Sequence, residues 1–377
     1  MKILFLIRSL GTGGTELQLS ILAKGLHELG HDVKVIVFYG GGALEADFRE
    51  ARVPIIHLNK KNRYDVIGFF RHLVHFVECE RPDMLHSYLG VSNILAVLLK
   101  PFLPHVKVGW GGRASDVELD CYDWLARVSF WFECKLSRFA DLVICNSYAG
   151  IEYARRQGFV NDKMIVIPNG IDTARFISDI ESGKRLRKKW GIADDKFVIG
   201  IVGRLDPMKD HPTFLKAAAL FVKERENVHF ACIGDGLEPY KSELKKLAGE
   251  LGLNDRIIWT GPISDMPAAY NALDINTSSS ISEGFSNVIG EAMACGIPCA
   301  VTDVGDSAMI VGITGVVFPP KSPDLLAEGW RNVLARLGEK DTIAQQSREL
   351  IVNHYSIEKL VFRTCDAVTA LLNVKGN

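Results

Sequence analysis

The chain has 377 residues, 47% of them hydrophobic, enough for two α/β domains with sizeable cores. Its formal net charge of −1 provides no field that would draw it to nucleic acid. No segment reaches the ~20 apolar residues of a membrane span, because the longest run, 94–103, is broken by Lys100 and Pro101.

Eight cysteines stand at 79, 121, 134, 145, 232, 295, 299 and 365, with no Cys-x-x-Cys. No histidine lies close to the Cys295/Cys299 pair. This usage predicts reduced thiols in a cytoplasmic protein. The N-terminal run 3–7 is too short for the apolar segment of a signal peptide and reads as a buried strand.

In chain order, residues 2–7 read as a strand. Residues 16–29 read as a helix, with Leu17, Ile21, Leu22, Leu26 and Leu29 at helical spacing, and 33–38 as a second strand. Apolar strands follow at 84–86, 106–110 and 142–145, separated by helical segments. After a polar, charged interval the alternation restarts. Strands are predicted at 197–203, 228–234, 256–260, 274–278 and 298–302, with helices near 212–223, 239–251, 266–270 and 287–295 between them. Strands apolar on both faces, alternating with helices, predict parallel sheets covered on both sides. The fold class is therefore α/β: two Rossmann-like, doubly wound domains facing each other across a cleft. The boundaries are 1–170 for the first domain, 171–195 for a linker, and 196–355 for the second domain. A C-terminal helix, 356–377, could pack on either domain and is a candidate to cross back to the first.

In doubly wound sheets the ligand sits beyond the carboxyl ends of the strands. The second domain carries chemistry there. Arg204 and Lys209 follow a strand that ends in Gly203; a planar guanidinium and an ammonium suit a diphosphate. Further on, Ser282-Glu283-Gly284-Phe285-Ser286-Asn287-Val288-Ile289-Gly290-Glu291 places two carboxylates about a helix entry. Ser286/Asn287 is an N-cap signal, and Glu291 falls about one turn inside the helix. Eight helical residues span about 12 Å, the reach from a ribose across a diphosphate to a hexose. The amides at the helix start favour an anion between the two acids.

In the first domain, Gly11-Thr12-Gly13-Gly14-Thr15-Glu16 follows the first strand but has Glu16 where a dinucleotide fingerprint needs its last glycine. The strand 33–38 also lacks the acid that would hold a ribose, so NAD is not expected. His86, placed at the end of a strand, reads either as a residue of the site or as a packed structural histidine. Arg113 and Asp116 read either as an acceptor contact or as a pair with each other.

The Glu283/Glu291 motif, Gly203-Arg204 with Lys209, the Pro168-Asn169-Gly170-Ile171-Asp172 loop and Gly13-Gly14-Thr15 together resemble the retaining glycosyltransferases of family 4, which have the GT-B fold. The resemblance covers nearly the whole chain and is strongest over about 165–320. It implies transfer of a hexose-type sugar, without a metal, from a nucleotide-diphosphate sugar (a UDP-sugar favoured) to a glycan or lipid-linked glycan in cell-surface polysaccharide assembly. Arg204 and Lys209 would meet the diphosphate, Glu283 the sugar hydroxyls and Glu291 the ribose. The amides of Gly284, Phe285, Ser286, Asn287 and Val288 would surround the sugar and phosphate, with Gly14 approaching the donor phosphate. Thr15, Arg113 and Asp116 would face the acceptor, and Glu283, His86, Arg204 and Lys209 form the catalytic set.

Two features depart from the family. Gly109-Trp110-Gly111-Gly112-Arg113 holds no histidine where many relatives have one, and Asp306 replaces a glycine in the loop 302–306. The alternatives are a nucleotide-sugar epimerase on the same architecture and a non-catalytic sugar-nucleotide-binding protein. A membrane-surface contact at the inner face of the cell membrane has one candidate segment, 52–75. It carries five cations against one acid beside Phe69, Phe70, Leu73 and Val74. The basic run Lys184, Arg185, Arg187, Lys188 and Lys189 reads as the solvated face of a helix.

Overall fold

A computed structural model describes residues 1–60, 62, 65–112, 124–160, 162–336 and 340–373. The chain divides into two units, one of Met1–Gly170 with Ile357–Asn377 and one of Ile171–Ser356. Among the described residues no helix is long and apolar enough to cross a membrane. The seven described cysteines are free, and Cys121 lies outside the described residues.

The first unit holds strands β1 (Lys2–Ile7), β2 (Asp32–Val37), β3 (Ile55–His57), β4 (Met84–Tyr88), β5 (Lys107–Gly112), β6 (Leu142–Cys145) and β7 (Met164–Val166). They form a seven-stranded parallel sheet in the order β3-β2-β1-β4-β5-β6-β7. Alternation along β1 divides the core in two. Leu4 and Leu6 enter one layer with Leu73, Val77 and Trp110, while Ile3, Phe5 and Ile7 enter the other with Leu22, Leu26 and Val361. Val361 belongs to the last helix, Ile357–Asn373, so the chain's final helix closes this unit. It packs on the helix Gly14–Glu28 so closely that a Cβ on Gly25 would lie 2.4 Å from Val361 Cγ2.

The second unit holds β8 (Phe197–Val202), β9 (Val228–Ile233), β10 (Ile257–Gly261), β11 (Ile275–Ser278), β12 (Cys299–Thr302) and β13 (Val316–Phe318). Its six-stranded parallel sheet runs β10-β9-β8-β11-β12-β13. Both sheets reverse their strand order next to their first strand, the topological switch point where doubly wound folds take ligands. In the first unit this point lies between β1 and β4, in the second between β8 and β11.

Three expectations need correction. The stretch 171–195 is not a free linker but part of the second unit. Asp179 caps the helix Ile180–Lys189, and Arg187 from that helix donates to the Ala272 carbonyl and pairs with Asp274, both at 2.8 Å. Its other cations, Lys184, Arg185, Lys188 and Lys189, do face solvent. The strand expected at 84–86 continues to Tyr88, which moves His86 from a strand end to the middle. Finally, the apolar side of the basic segment 52–75 is largely spent on the core: in the helix Ile67–Glu80, Phe69, Leu73 and Val77 are buried against the sheet.

Candidate active site

Loops from three neighbouring strands meet at the switch point of the second unit. After β8 the backbone turns through Gly203 at φ +152, where the N–H of Gly203 still donates to Ile233 at 3.0 Å. The next turn is set by Asp206, whose carboxylate accepts the Met208 amide at 2.9 Å, and Asp210 caps the helix His211–Phe221 through Thr213. These two aspartates fix the loop at both ends, so Arg204 and Lys209 project from a defined backbone. Arg204 is 80% exposed, with Asp206 only loosely paired to it at 3.8 Å.

Lys209 forms an ion pair with Glu283, from the loop after β11. The Ser280 hydroxyl donates to the same carboxylate oxygen at 2.7 Å. Two further bonds hold the β8 and β11 loops together: the Ser279 hydroxyl donates to the Lys209 carbonyl at 2.8 Å, and the Ile281 amide to the Met208 carbonyl at 2.9 Å. The loop after β12 supports the arrangement from the other side. The Asp306 amide donates to the Gly284 carbonyl at 3.0 Å and the Thr302 hydroxyl to the Ser280 carbonyl at 2.7 Å.

The helix Asn287–Ala294 starts at Ser286, the residue the cap signal marked, but the Ser286 hydroxyl makes no capping bond and has no hydrogen-bond partner. The start of a helix favours an anion through its exposed amides and its dipole. Phe285 turns its ring inward onto Tyr355, 5.3 Å between centroids, and Val288 packs beside the same core. Their part in a site is therefore limited to the backbone.

Glu291 is partly buried in that helix and accepts the Tyr270 hydroxyl at 2.7 Å. Burial pushes its carboxyl up to about 7, against the opposing effects of the Tyr270 bond and the nearby Arg175 charge. The folded chain then holds a proton there that the unfolded chain releases above its ordinary pKa of 4.5, so stability declines as pH rises from 4.5 towards 7. Glu291→Gln, which removes the titration, should melt above the parent at pH 8, and the difference should shrink on acidification to pH 4. Thermal melts across that range check it.

The first-unit candidates fall differently. Gly14 and Thr15 open the helix Gly14–Glu28, with Gly13 at its cap and no side-chain cap bond. They lie at that unit's own switch point, after β1. Leu89, after β4, sits there at φ +71, a conformation leucine rarely takes. His86 is 1% exposed, and its ring stacks on Tyr88 at 4.8 Å and lies 5.5 Å from Phe5. This is the packed structural histidine of the two readings, so the catalytic one is withdrawn. Arg113 and Asp116 lie outside the described residues.

The sequence places Ser279 and Ser280 at the ligand edge as part of the strand-end stretch 279–291 but does not show their bonds to Lys209 and Glu283, nor Tyr270, nor the support given by the loop 302–306. The pairing of Tyr270 with Glu291 leaves no signal in the sequence.

Residues 183–350 match the family described as Glycosyl transferases group 1, and residues 12–175 match Glycosyltransferase Family 4. The chain is 28% identical over 300 residues to the UDP-Gal:alpha-D-GlcNAc-diphosphoundecaprenol alpha-1,3-galactosyltransferase of Escherichia coli, covering 76% of this chain and 75% of that one. It is 29% identical over 315 residues to the lipopolysaccharide core biosynthesis mannosyltransferase LpsB of Rhizobium meliloti, covering 76% and 84%. Its fold is similar to the crystal structure of Anabaena HepE in complex with UDP-glucose, with a TM-score of 0.85, 24% identity, and coverage of 98% of this chain and 100% of that one. The two family matches adjoin and take in both units, and with the shared fold they lead to one conclusion: the chain belongs to the family 4 type of glycosyltransferases and has the GT-B fold.

Proposed function

We propose that the protein transfers a hexose-type sugar, with retention of anomeric configuration, from a UDP-sugar to a glycan or lipid-linked glycan at the inner face of a membrane, in the assembly of a cell-surface polysaccharide. The observation that carries this reading is the pairing of Lys209 with Glu283 across the second unit's switch point, with Arg204 exposed on the same loop. The relatives' names supply the chemistry of donor and acceptor: one uses UDP-Gal and a diphosphoundecaprenol-linked sugar, another acts in lipopolysaccharide core biosynthesis. A structural neighbour holds UDP-glucose.

Arg204 and Lys209 would take the diphosphate, meeting the charge that develops as the sugar bond breaks. When phosphate oxygens replace Glu283 on the Lys209 ammonium, the carboxylate becomes available to the sugar hydroxyls. The amides at the start of the helix Asn287–Ala294 would hold the phosphate between the two acids, and Glu291 would accept the ribose hydroxyls. With two fixed cations the leaving group needs no metal, and chelator should leave turnover unchanged. The acceptor hydroxyl would then attack the face the diphosphate leaves.

Titration calorimetry with UDP tests the site first, and saturable binding is expected. UDP-hexoses are then screened by thermal shift, since a ligand that binds only the folded state raises its stability. NMR of the product of the best donor reads its anomeric configuration. Conversion of the donor without an acceptor would favour an epimerase, and binding without turnover a carrier. Because ribose hydroxyls favour the carboxylate form of Glu291, UDP affinity should fall as pH drops below about 7, and Glu291→Gln should flatten that dependence.

A further inference from the structure

We infer that the outer edge of the first unit's sheet carries a binding site for a small soluble phosphate ester bearing hydroxyl groups, of the size of a hexose phosphate. A cavity of about 340 Å³ lies there, between the helix Glu45–Glu50 and the edge strand β3. That volume is in the range of small-molecule sites. β3 stands two strands from β1, about 10 Å across the sheet, so the cavity is separate from this unit's switch point between β1 and β4. One end of it is cationic. Arg49 and Arg52 line that end, both are exposed, and among the described residues neither pairs with an acid. Other cations of this unit are spent: Lys2 and Lys34 both reach Glu80 at 2.7 Å. The turn that ends the helix holds the two arginines together, because the Arg52 amide donates to the Arg49 carbonyl at 3.2 Å and the Val53 amide to the Phe48 carbonyl at 2.9 Å. Two guanidiniums presented from one fixed turn suit a phosphate dianion.

The other end carries a carboxylate and an imidazole. Glu45 Oε1 accepts the amides of Gly41 and Gly42 at 2.8 and 3.2 Å, which fixes the carboxylate in place. Its Oε2 lies 3.8 Å from His57 Nε2, beyond hydrogen-bond reach, so a ligand hydroxyl set beside the two can bond each. The backbone backs the imidazole from its far side, since a Cβ on Gly40 would lie 2.7 Å from His57 Nδ1. Glu45 and Arg49 stand one turn apart on their helix, about 6 Å, the separation between the phosphorus of a hexose phosphate and its far ring hydroxyls. Pro54 and Ile55 supply an apolar wall for the C–H face of a sugar ring. The fixed acid selects against ligands that are anionic along their whole length, such as a polyphosphate. The inference rests on this cavity and not on the transfer reaction.

Titration calorimetry of the full chain with glucose 6-phosphate, inorganic phosphate and glucose tests it. Saturable binding of glucose 6-phosphate is expected, tighter than that of phosphate, with none for glucose at the same concentrations. The double substitution Arg49→Ala/Arg52→Ala should weaken glucose 6-phosphate by about tenfold or more, with the melting temperature unchanged because both side chains are exposed. His57→Ala should weaken glucose 6-phosphate and leave phosphate binding as it was. Should the double variant fail to fold, phenylglyoxal labelling of the parent chain, read by mass spectrometry, replaces it. Glucose 6-phosphate should then slow labelling of Arg49 and Arg52 and leave that of the exposed Arg71 unchanged. The inference is overturned by absence of saturable binding, by equal affinity in the folded double variant, or by labelling of Arg49 and Arg52 that the ligand does not slow. Binding that Arg204→Ala weakens and Arg49→Ala/Arg52→Ala does not would place the phosphate at the second unit's switch point instead.

Discussion

Arg204→Ala should lower turnover by about 10²–10³ while leaving the melting temperature unchanged. The guanidinium is largely in solvent and its loose contact with Asp206 holds no other element in place, so its removal costs the fold little. What is lost is a fixed cation where the leaving diphosphate gathers charge. Lys209→Ala should lower turnover similarly but also lower stability, because among the described residues Glu283 would keep the Ser280 hydroxyl alone as a partner. Lys209→Arg should recover stability better than rate, since the fork of a guanidinium does not reproduce a point charge. Steady-state kinetics with the donor found by thermal shift, together with melts of the same variants, separates these outcomes. Near-parental rates in both alanine variants would remove the diphosphate role from this loop.

Gly305→Ala is expected to abolish most activity through the backbone alone. Gly305 has φ +57, and a Cβ there would lie 2.3 Å from the Glu283 carbonyl oxygen and 2.6 Å from that of Gly284. Neither carbonyl can swing aside as a side chain would, so the loop bearing Glu283 must shift. A displacement of about 1 Å in a positioning group costs roughly 10² in rate, and the strained φ should also lower the melting temperature. Parental kinetics in Gly305→Ala would show that the donor does not depend on this loop's geometry.

The parallel sheets were legible because their strands are apolar on both faces, as in β1 and β8, and because the helices between them keep a 3.6-residue period. The loops bearing Arg204, Lys209 and Glu283 were legible for a related reason: charged residues directly after a buried strand end stand where the sheet's ligand edge must be. The strands β3, β7 and β13 are three residues each and too short to show a period. The strand runs on past His86 because the polar Ser87 is satisfied there, its hydroxyl donating to Asn93 at 2.8 Å. The helix Ile180–Lys189 reads as a linker in the sequence because its composition is polar and charged. The bond from Arg187 to Asp274, 87 positions away, leaves no local trace. The partnership of Tyr270 with Glu291 and the seat of Gly305 under Glu283 are likewise products of tertiary approach.

The helix Ile357–Asn373 supplies Leu360, Val361 and Val368 to the core layer that holds β1. The first structural unit therefore needs a segment that is translated after the whole of the second. Until then the nascent polypeptide carries the groove of the helix Gly14–Glu28 uncovered, while Ile171–Ser356 is already complete in sequence. Biogenesis should thus run out of order, with the later-translated half able to consolidate first and the earlier half waiting for its tail. A premature stop shortly before position 357 would leave an adhesive amino-terminal half beside a folded carboxyl-terminal one, a product destined for aggregation or proteolysis.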